Sequence, residues 1–192
     1  MADGKRPEGI TPSQTVGPYF AVGLTPEAYG FRPIIGTDLR TEDAGGEQIL
    51  IEGRVTDGDG EAIPDAMIEI WQADGAGNYP GRGSNTTFKG HGRSETKGGL
   101  FRFHTVKPGA ADGQAPHINV NVFARGVLFQ MTTRIYFEGE AANASDPVLQ
   151  LVPKERRATL IAKKDGVSAD GLPRWTFDIR VQGDNETVFF GV

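Results

Sequence analysis

The chain contains no cysteine among its 192 residues, only three histidines, and no long apolar run. Without thiols there is no disulfide framework, no thiolate metal site and no cysteine nucleophile, so any metal must be held by His, Tyr, Asp or Glu. Without about twenty consecutive apolar residues no helix can cross a bilayer. The opening residues MADGKRPEGITPSQ lack the apolar stretch and small-residue cleavage site of a secretory leader, so a cytoplasmic location is the expectation. A basic excess is missing too. The 20 Lys and Arg against 25 Asp and Glu leave a net charge of −5, with the basic residues scattered. A nucleic-acid partner, which requires a basic stripe to neutralise phosphates, is thereby disfavoured.

What the chain does have is glycine (27), proline (12) and short runs of period two. Residues 49–57, ILIEGRVTD, and 66–72, AMIEIWQ, flank GDGEAIPD, whose Gly, Asp and Pro predict a hairpin turn. Further runs occupy 100–106, 117–124, 128–137, 159–164 and 174–181. In the last, Trp175, Phe177, Ile179 and Val181 share one face and Arg174, Thr176, Asp178 and Arg180 the other, giving a strand with one dry and one wet side. In 128–137 the same logic sends Phe129, Met131, Ile135 and Phe137 to the core and leaves Gln130, Thr132 and Arg134 on the polar face.

The expected fold is all-β, an antiparallel β-sandwich of two packed sheets with a long irregular N-terminal arm and loops. Little helix is expected, a turn near TPEAYGF (25–31) and another near DPVLQLVP (146–153). Residues 1–45 read as an arm bound to a partner and 46–192 as the sandwich domain. Residues 72–99 read as a second long Gly-rich segment without a period, of the kind that carries function.

Chemistry has few candidates: His91, His104 and His117, with Tyr19, Tyr29, Tyr79 and Tyr136. The stretch APHINVNVF (115–123) alternates, so His117, Asn119 and Asn121 project from one side of a strand. Two ligands at that spacing would aim at one point, but a neutral amide is a poor donor to a transition metal. His117 therefore reads either as a strand residue hydrogen-bonded to a neighbour or as a metal ligand. His91 and His104 are expected on exposed positions. Asp57, Asp59 and Glu61 suggest a calcium loop only weakly, since the later bidentate Glu is lacking and the segment reads as a turn.

The segment ILIEGRVTDGDGEAIPDAMIEIWQADGAGNY resembles the signature of the intradiol ring-cleavage dioxygenases. It has the Gly after the strand start, the Pro in the turn, and the run Glu69, Ile70, Trp71, Gln72, Ala73, Asp74. The likeness continues through TPSQTVGPYF, FKGHGRSETKGGLFRFHTVKPG, APHINVNVFARG, TRIYFEGE, RRATLIAK and RWTFDIRVQGDNETVFF, nearly the whole chain. The resemblance implies a β-sandwich. Catalytic members hold ferric iron with two tyrosinates and an H-x-H pair, hard anionic oxygens suiting the higher charge. Carried onto this sequence, the first tyrosine is Tyr79, the second falls at Ala110 or Ala111, the first histidine is His117 and the second is replaced by Asn119. An arginine expected just before the histidines is here Gln114 or Ala115.

The degenerate ligand positions Tyr79, Ala111, His117 and Asn119 thus imply no catalytic residue and no metal in this chain alone. The resemblance places Fe(III) in a homologous iron-bearing beta subunit, with the two chains joined in an alpha-beta hetero-oligomer. The implied substrates are protocatechuate and O2, the ring opening between its two hydroxyl-bearing carbons to give 3-carboxy-cis,cis-muconate. This chain would line the partner's cleft with Thr15, Gly17 and Pro18, a wall without side-chain bulk and with one fixed backbone angle, and with Arg134, a cation for the ring carboxylate. Two other functions stay open: a homomeric metalloenzyme using Tyr79, His117 and an acidic residue, or a non-enzymatic sandwich binding a sugar or a protein.

Overall fold

Alternating apolar residues build strands, and in the computed structural model, which describes residues 19–81 and 86–191, nine of them pair among the described residues. They are β1 (Gln48–Thr56), β2 (Met67–Gln72), β3 (His91–Glu95), β4 (Leu100–Val106) and β5 (His117–Phe123). The remainder are β6 (Met131–Phe137), β7 (Ile161–Val167), β8 (Pro173–Thr176) and β9 (Ile179–Arg180). A short helix α1 spans Tyr19–Leu24, outside the two helical turns expected from the sequence, and 3-10 turns fill most of the link between β6 and β7.

The strand order β3-β2-β5-β6-β7-β8-β1-β4, with β9 against β1, divides into two halves at the β6–β7 pairing. Ile49 and Ile51 of β1 and Phe101 and Phe103 of β4 meet Ile68 and Ile70 of β2, Ile118 and Val120 of β5 and Ile135 of β6 in one core. The all-β reading therefore holds, and two inner faces supply the core as a sandwich requires. The pairing is not uniformly antiparallel. β6–β7, β1–β8 and β1–β9 run parallel; for β6–β7, the long crossover after β6 returns the chain in its starting direction, which a tight turn cannot do.

Three further expectations change. The turn GDGEAIPD does not make a hairpin: β1 pairs with β4 and β8, β2 with β3 and β5, so this turn carries the chain from one half to the other. It still closes locally, with the Asp57 carboxylate accepting the amides of Asp59 and Glu61 at 2.9 Å, which commits one oxygen of the proposed calcium group to the backbone. Within 72–99, residues 91–95 form β3, an edge strand whose His, Gly, Arg, Ser and Glu carry little intrinsic strand preference. And β6 begins only at Met131, leaving Phe129 81% exposed on the loop before it instead of in the core.

The two ends of the strand path are joined by a segment expected to belong to the arm. Arg93 of β3 donates its amide to Gly36 O at 3.0 Å, and His104 of β4 exchanges bonds with Thr37 O (2.9 Å) and Leu39 N (2.8 Å). Leu39 and Ala44 then bury in the core. A second close approach breaks the 174–181 run in two. A side chain on Gly53 would put Cβ 1.7 Å from Phe177 O, so only glycine lets β1 pass there. The interrupted ladder is repaired by Asp178, whose carboxylate accepts the Arg54 amide at 2.8 Å.

Candidate functional site

Register across β3, β2, β5 and β6 sets His91, Trp71, Asn119 and Arg134 side by side in one row on the face turned away from the main core. His117 stands two residues along β5 on the same face, opposite Tyr136. The loop after β2 brings Tyr79 over this row. Asp74, buried, shapes that loop by accepting the amides of Ala76 and Asn78 at 2.9 Å each, and Tyr79 stacks on Trp71 with ring centroids 5.9 Å apart and planes 22° from parallel. Ala111 and Gln114 close a two-residue turn around Asp112 and Gly113, both at positive φ, where Asp and Gly are the tolerant residues. The result is a cleft of about 300 Å³ lined by Trp71, Tyr79, Pro80, Asp112, Gln114, His117, Asn119 and Arg134.

Within the cleft the hydrogen bonds form a chain. His117 Nδ1 lies 2.8 Å from Ala115 O, an acceptor only, so Nδ1 carries the proton and Nε2 is left to accept. Tyr79 Oη, 3.2 Å from Nε2, is then the donor, and it accepts in turn from Asn119 Nδ2 at 3.2 Å. Asn119 Nδ2 also reaches Trp71 O at 3.3 Å. Beneath, Tyr136 donates to Asp146 Oδ1 at 3.0 Å, and Arg134 Nη1 donates to Gln114 Oε1 at 2.5 Å and to Tyr136 Oη at 3.4 Å. Burial pushes the Tyr136 pKa up to about 12, so the phenol keeps its proton.

Burial also holds the pKa of His117 below its ordinary 6.5; the Ala115 carbonyl opposes this and the Arg134 charge adds to it. An unfolded chain therefore takes up this proton before the folded one does, and acid favours unfolding. Stability is expected to fall as pH drops below about 6.5, the ordinary histidine value. Urea melts between pH 7 and pH 5 should show that decline flattened in His117→Gln.

The donors in this cleft do not fit a ferric site. One phenol oxygen and one imidazole nitrogen are present, the Tyr79–His117 pair is closed by a proton, the Asn119 amide nitrogen gives its hydrogens to Tyr79 Oη and Trp71 O, and Ala111 offers a methyl group. Among the described residues no three His, Asp or Glu side chains come together as a metal site. Of the residues singled out from the sequence, Tyr79, Ala111, His117, Asn119 and Arg134 are thus placed around one cleft, while Thr15, Gly17 and Pro18 lie outside the described residues. His91 and His104 are half-buried instead of exposed, the first edge-on to Trp71 and the second 3.4 Å from Asp170. Tyr136, one of the four tyrosines noted in the sequence, joins the site through strand parity on β6, which puts it on the face of Arg134, and Trp71 comes from the signature run; Asp112 and Asp146 were not anticipated.

Sequence and fold have their counterparts among known proteins. Residues 16–183 match the family described as dioxygenase, and the chain belongs to the intradiol ring-cleavage dioxygenases. It is 50% identical over 194 residues to the protocatechuate 3,4-dioxygenase alpha chain of Burkholderia cepacia, covering 95% of this chain and 97% of that one. To the beta chain of the same organism's protocatechuate 3,4-dioxygenase it is 32% identical over 158 residues, 74% of this chain and 67% of the other. Among solved structures, the dioxygenase domain of a dioxygenase carbohydrate-binding protein fusion from Streptomyces sp. SirexAA-E superposes with a TM-score of 0.63 at 27% identity, over 90% of this chain and 98% of that one. No helix among the described residues is long and apolar enough to cross a membrane.

Proposed function

We propose that this chain is the iron-free alpha partner of a protocatechuate 3,4-dioxygenase, working in a cytoplasmic hetero-oligomer with a homologous beta subunit that holds Fe(III). The observation that carries the reading is full-length similarity to an alpha chain, joined to a cleft whose ligand positions have lost a tyrosine and a histidine. A phenol proton joins Tyr79 to His117, the two side chains of ligand type in the cleft, so their local hydrogen-bond demands are met without an ion.

In this reading the ferric ion supplies Lewis-acid activation of the catechol in the partner, and this chain binds and orients. Thr15, Gly17 and Pro18 contribute the wall of the partner's cleft, and Arg134 meets the ring carboxylate. The Arg134 geometry supports that role. Among the described residues its hydrogen bonds all run through Nη1, leaving the edge formed by Nε and Nη2 as a fork for a carboxylate. Tyr29, Phe31 and Ile34, all exposed, extend the apolar surface that a permanent partner would cover.

Co-expression with the homologous beta chain tests the proposal. The expected outcome is a stable complex carrying one iron per alpha-beta pair, ring cleavage of protocatechuate by that complex, and neither iron nor activity in this chain purified alone. Stoichiometric iron and turnover in the solitary chain would favour the homomeric enzyme instead.

A further inference from the structure

One buried carboxylate lies behind two of the cleft's functional positions. Asp146, 1% exposed, accepts four hydrogen bonds: Oδ1 from Tyr136 Oη (3.0 Å), Val148 N (3.0 Å) and Leu149 N (2.7 Å), and Oδ2 from Ala115 N (2.8 Å). Through Tyr136 it reaches Arg134, whose Nη1 donates to the same phenol oxygen. Through Ala115 it reaches His117, because the amide of Ala115 is held by Asp146 while its carbonyl accepts from His117 Nδ1. The apolar packing around this group is a small core of its own, Ala115, Tyr136, Leu149, Val152 and Leu160, separate from the main one. The crossover between β6 and β7 supplies Asp146, Leu149 and Val152, so that link packs beneath the cleft.

We infer that Tyr136 and Asp146 are positioning residues that set the guanidinium of Arg134 for a ring carboxylate, and so govern discrimination between carboxylated and plain catechols. The inference rests on the reading of Arg134 as the carboxylate anchor. The physical argument is orientation. A guanidinium on four rotatable bonds recognises a carboxylate bidentately only if its plane is fixed beforehand. Gln114 Oε1 and Tyr136 Oη take the two hydrogens of Nη1 from one side, which fixes that plane and turns the remaining edge outward. Gln114 is half-exposed and can swing away, whereas Tyr136 is buried and pinned by Asp146, so the phenol is the fixed point. No proton is transferred in this arrangement; the residues act through Arg134 and do not touch the substrate.

The test uses the complex assembled with its beta partner and two competitive inhibitors that differ in the carboxylate, 4-hydroxybenzoate and phenol. Tyr136→Phe keeps the ring and deletes the oxygen. It is expected to weaken 4-hydroxybenzoate about three- to tenfold, the range of one hydrogen bond, and to leave phenol within about twofold. Arg134→Gln should weaken 4-hydroxybenzoate further, and the double variant should be no worse than Arg134→Gln alone, because Tyr136 acts only through the arginine. Asp146→Asn, which presents an amide hydrogen to donors, should give the same selective loss and carries the test if Tyr136→Phe does not assemble. Discrimination by Arg134→Gln but equal or no loss on the two inhibitors in Tyr136→Phe or Asp146→Asn overturns the positioning role alone. No discrimination in Arg134→Gln overturns the anchor reading and the positioning role with it.

Discussion

Replacing Arg134 with glutamine in the assembled complex should raise KM for protocatechuate between about ten- and a hundredfold while changing kcat far less. That range follows from hydrogen bonds to a charged group, worth about 1.5–3 kcal/mol when one partner is removed. The side chain sits in the row Trp71, Asn119, Arg134, with its Nη1 committed to Gln114 and Tyr136 and its opposite edge unengaged among the described residues. Glutamine keeps some reach and loses both the charge and the fork. Lysine should recover only part of the loss, since an ammonium offers charge without the planar pair of donors. Steady-state kinetics on the variant and on Arg134→Lys measure both effects. An unchanged KM in both variants would remove Arg134 from substrate recognition.

Phe137→Ala should destabilise the fold by about 3–5 kcal/mol, the usual cost of truncating a fully buried aromatic. In a chain of this length that corresponds to a fall in Tm of roughly 10 °C. The position explains the size. Phe137 is fully buried, pairs with Ala162 where the two halves of the strand path join, and packs edge-on against Trp175 with centroids 5.0 Å apart. Lys107 Nζ lies 5.4 Å from the Phe137 centroid and 5.3 Å from that of Trp175, and its ammonium is held by Glu140 at 2.5 Å. Truncation therefore opens a cavity and removes one of two aromatic faces from a cation. Thermal melts of the two proteins under the same buffer measure the shift, and a loss below about 1 kcal/mol would show that the joint relaxes around the gap.

Legibility of the fold followed the range of each signal. The alternation in HINVNVF and in LFRFHTV was read correctly because period two is local and the buried residues are large and apolar. Strand β3 was missed because HGRSE becomes a strand only by pairing with β2 and with Gly36, neither of which leaves a trace in its own composition. GDGEAIPD was rightly a turn and wrongly a hairpin: turn chemistry fixes where a chain bends, and the core decides which strand lies beside which. Phe129 was sent to the core by parity alone, but β6 starts two residues later, so parity had no strand to act on.

For the site, residue identity alone determined the decisive chemistry. Asn119 and Ala111 cannot supply anionic or imidazole donors whatever the fold does, because ligand strength belongs to the side chain. The tertiary structure decided how the cleft's phenol and imidazole are hydrogen-bonded and what supports the cleft. Residues 79, 119 and 134 meet only because β2, β5 and β6 pair in one register and the Asp74 loop folds over them. Asp146 reaches Ala115 and Tyr136 only because the crossover returns beneath them. Such contacts join residues tens of positions apart, and a linear sequence carries no local mark of which distant groups its packing will bring within a hydrogen bond.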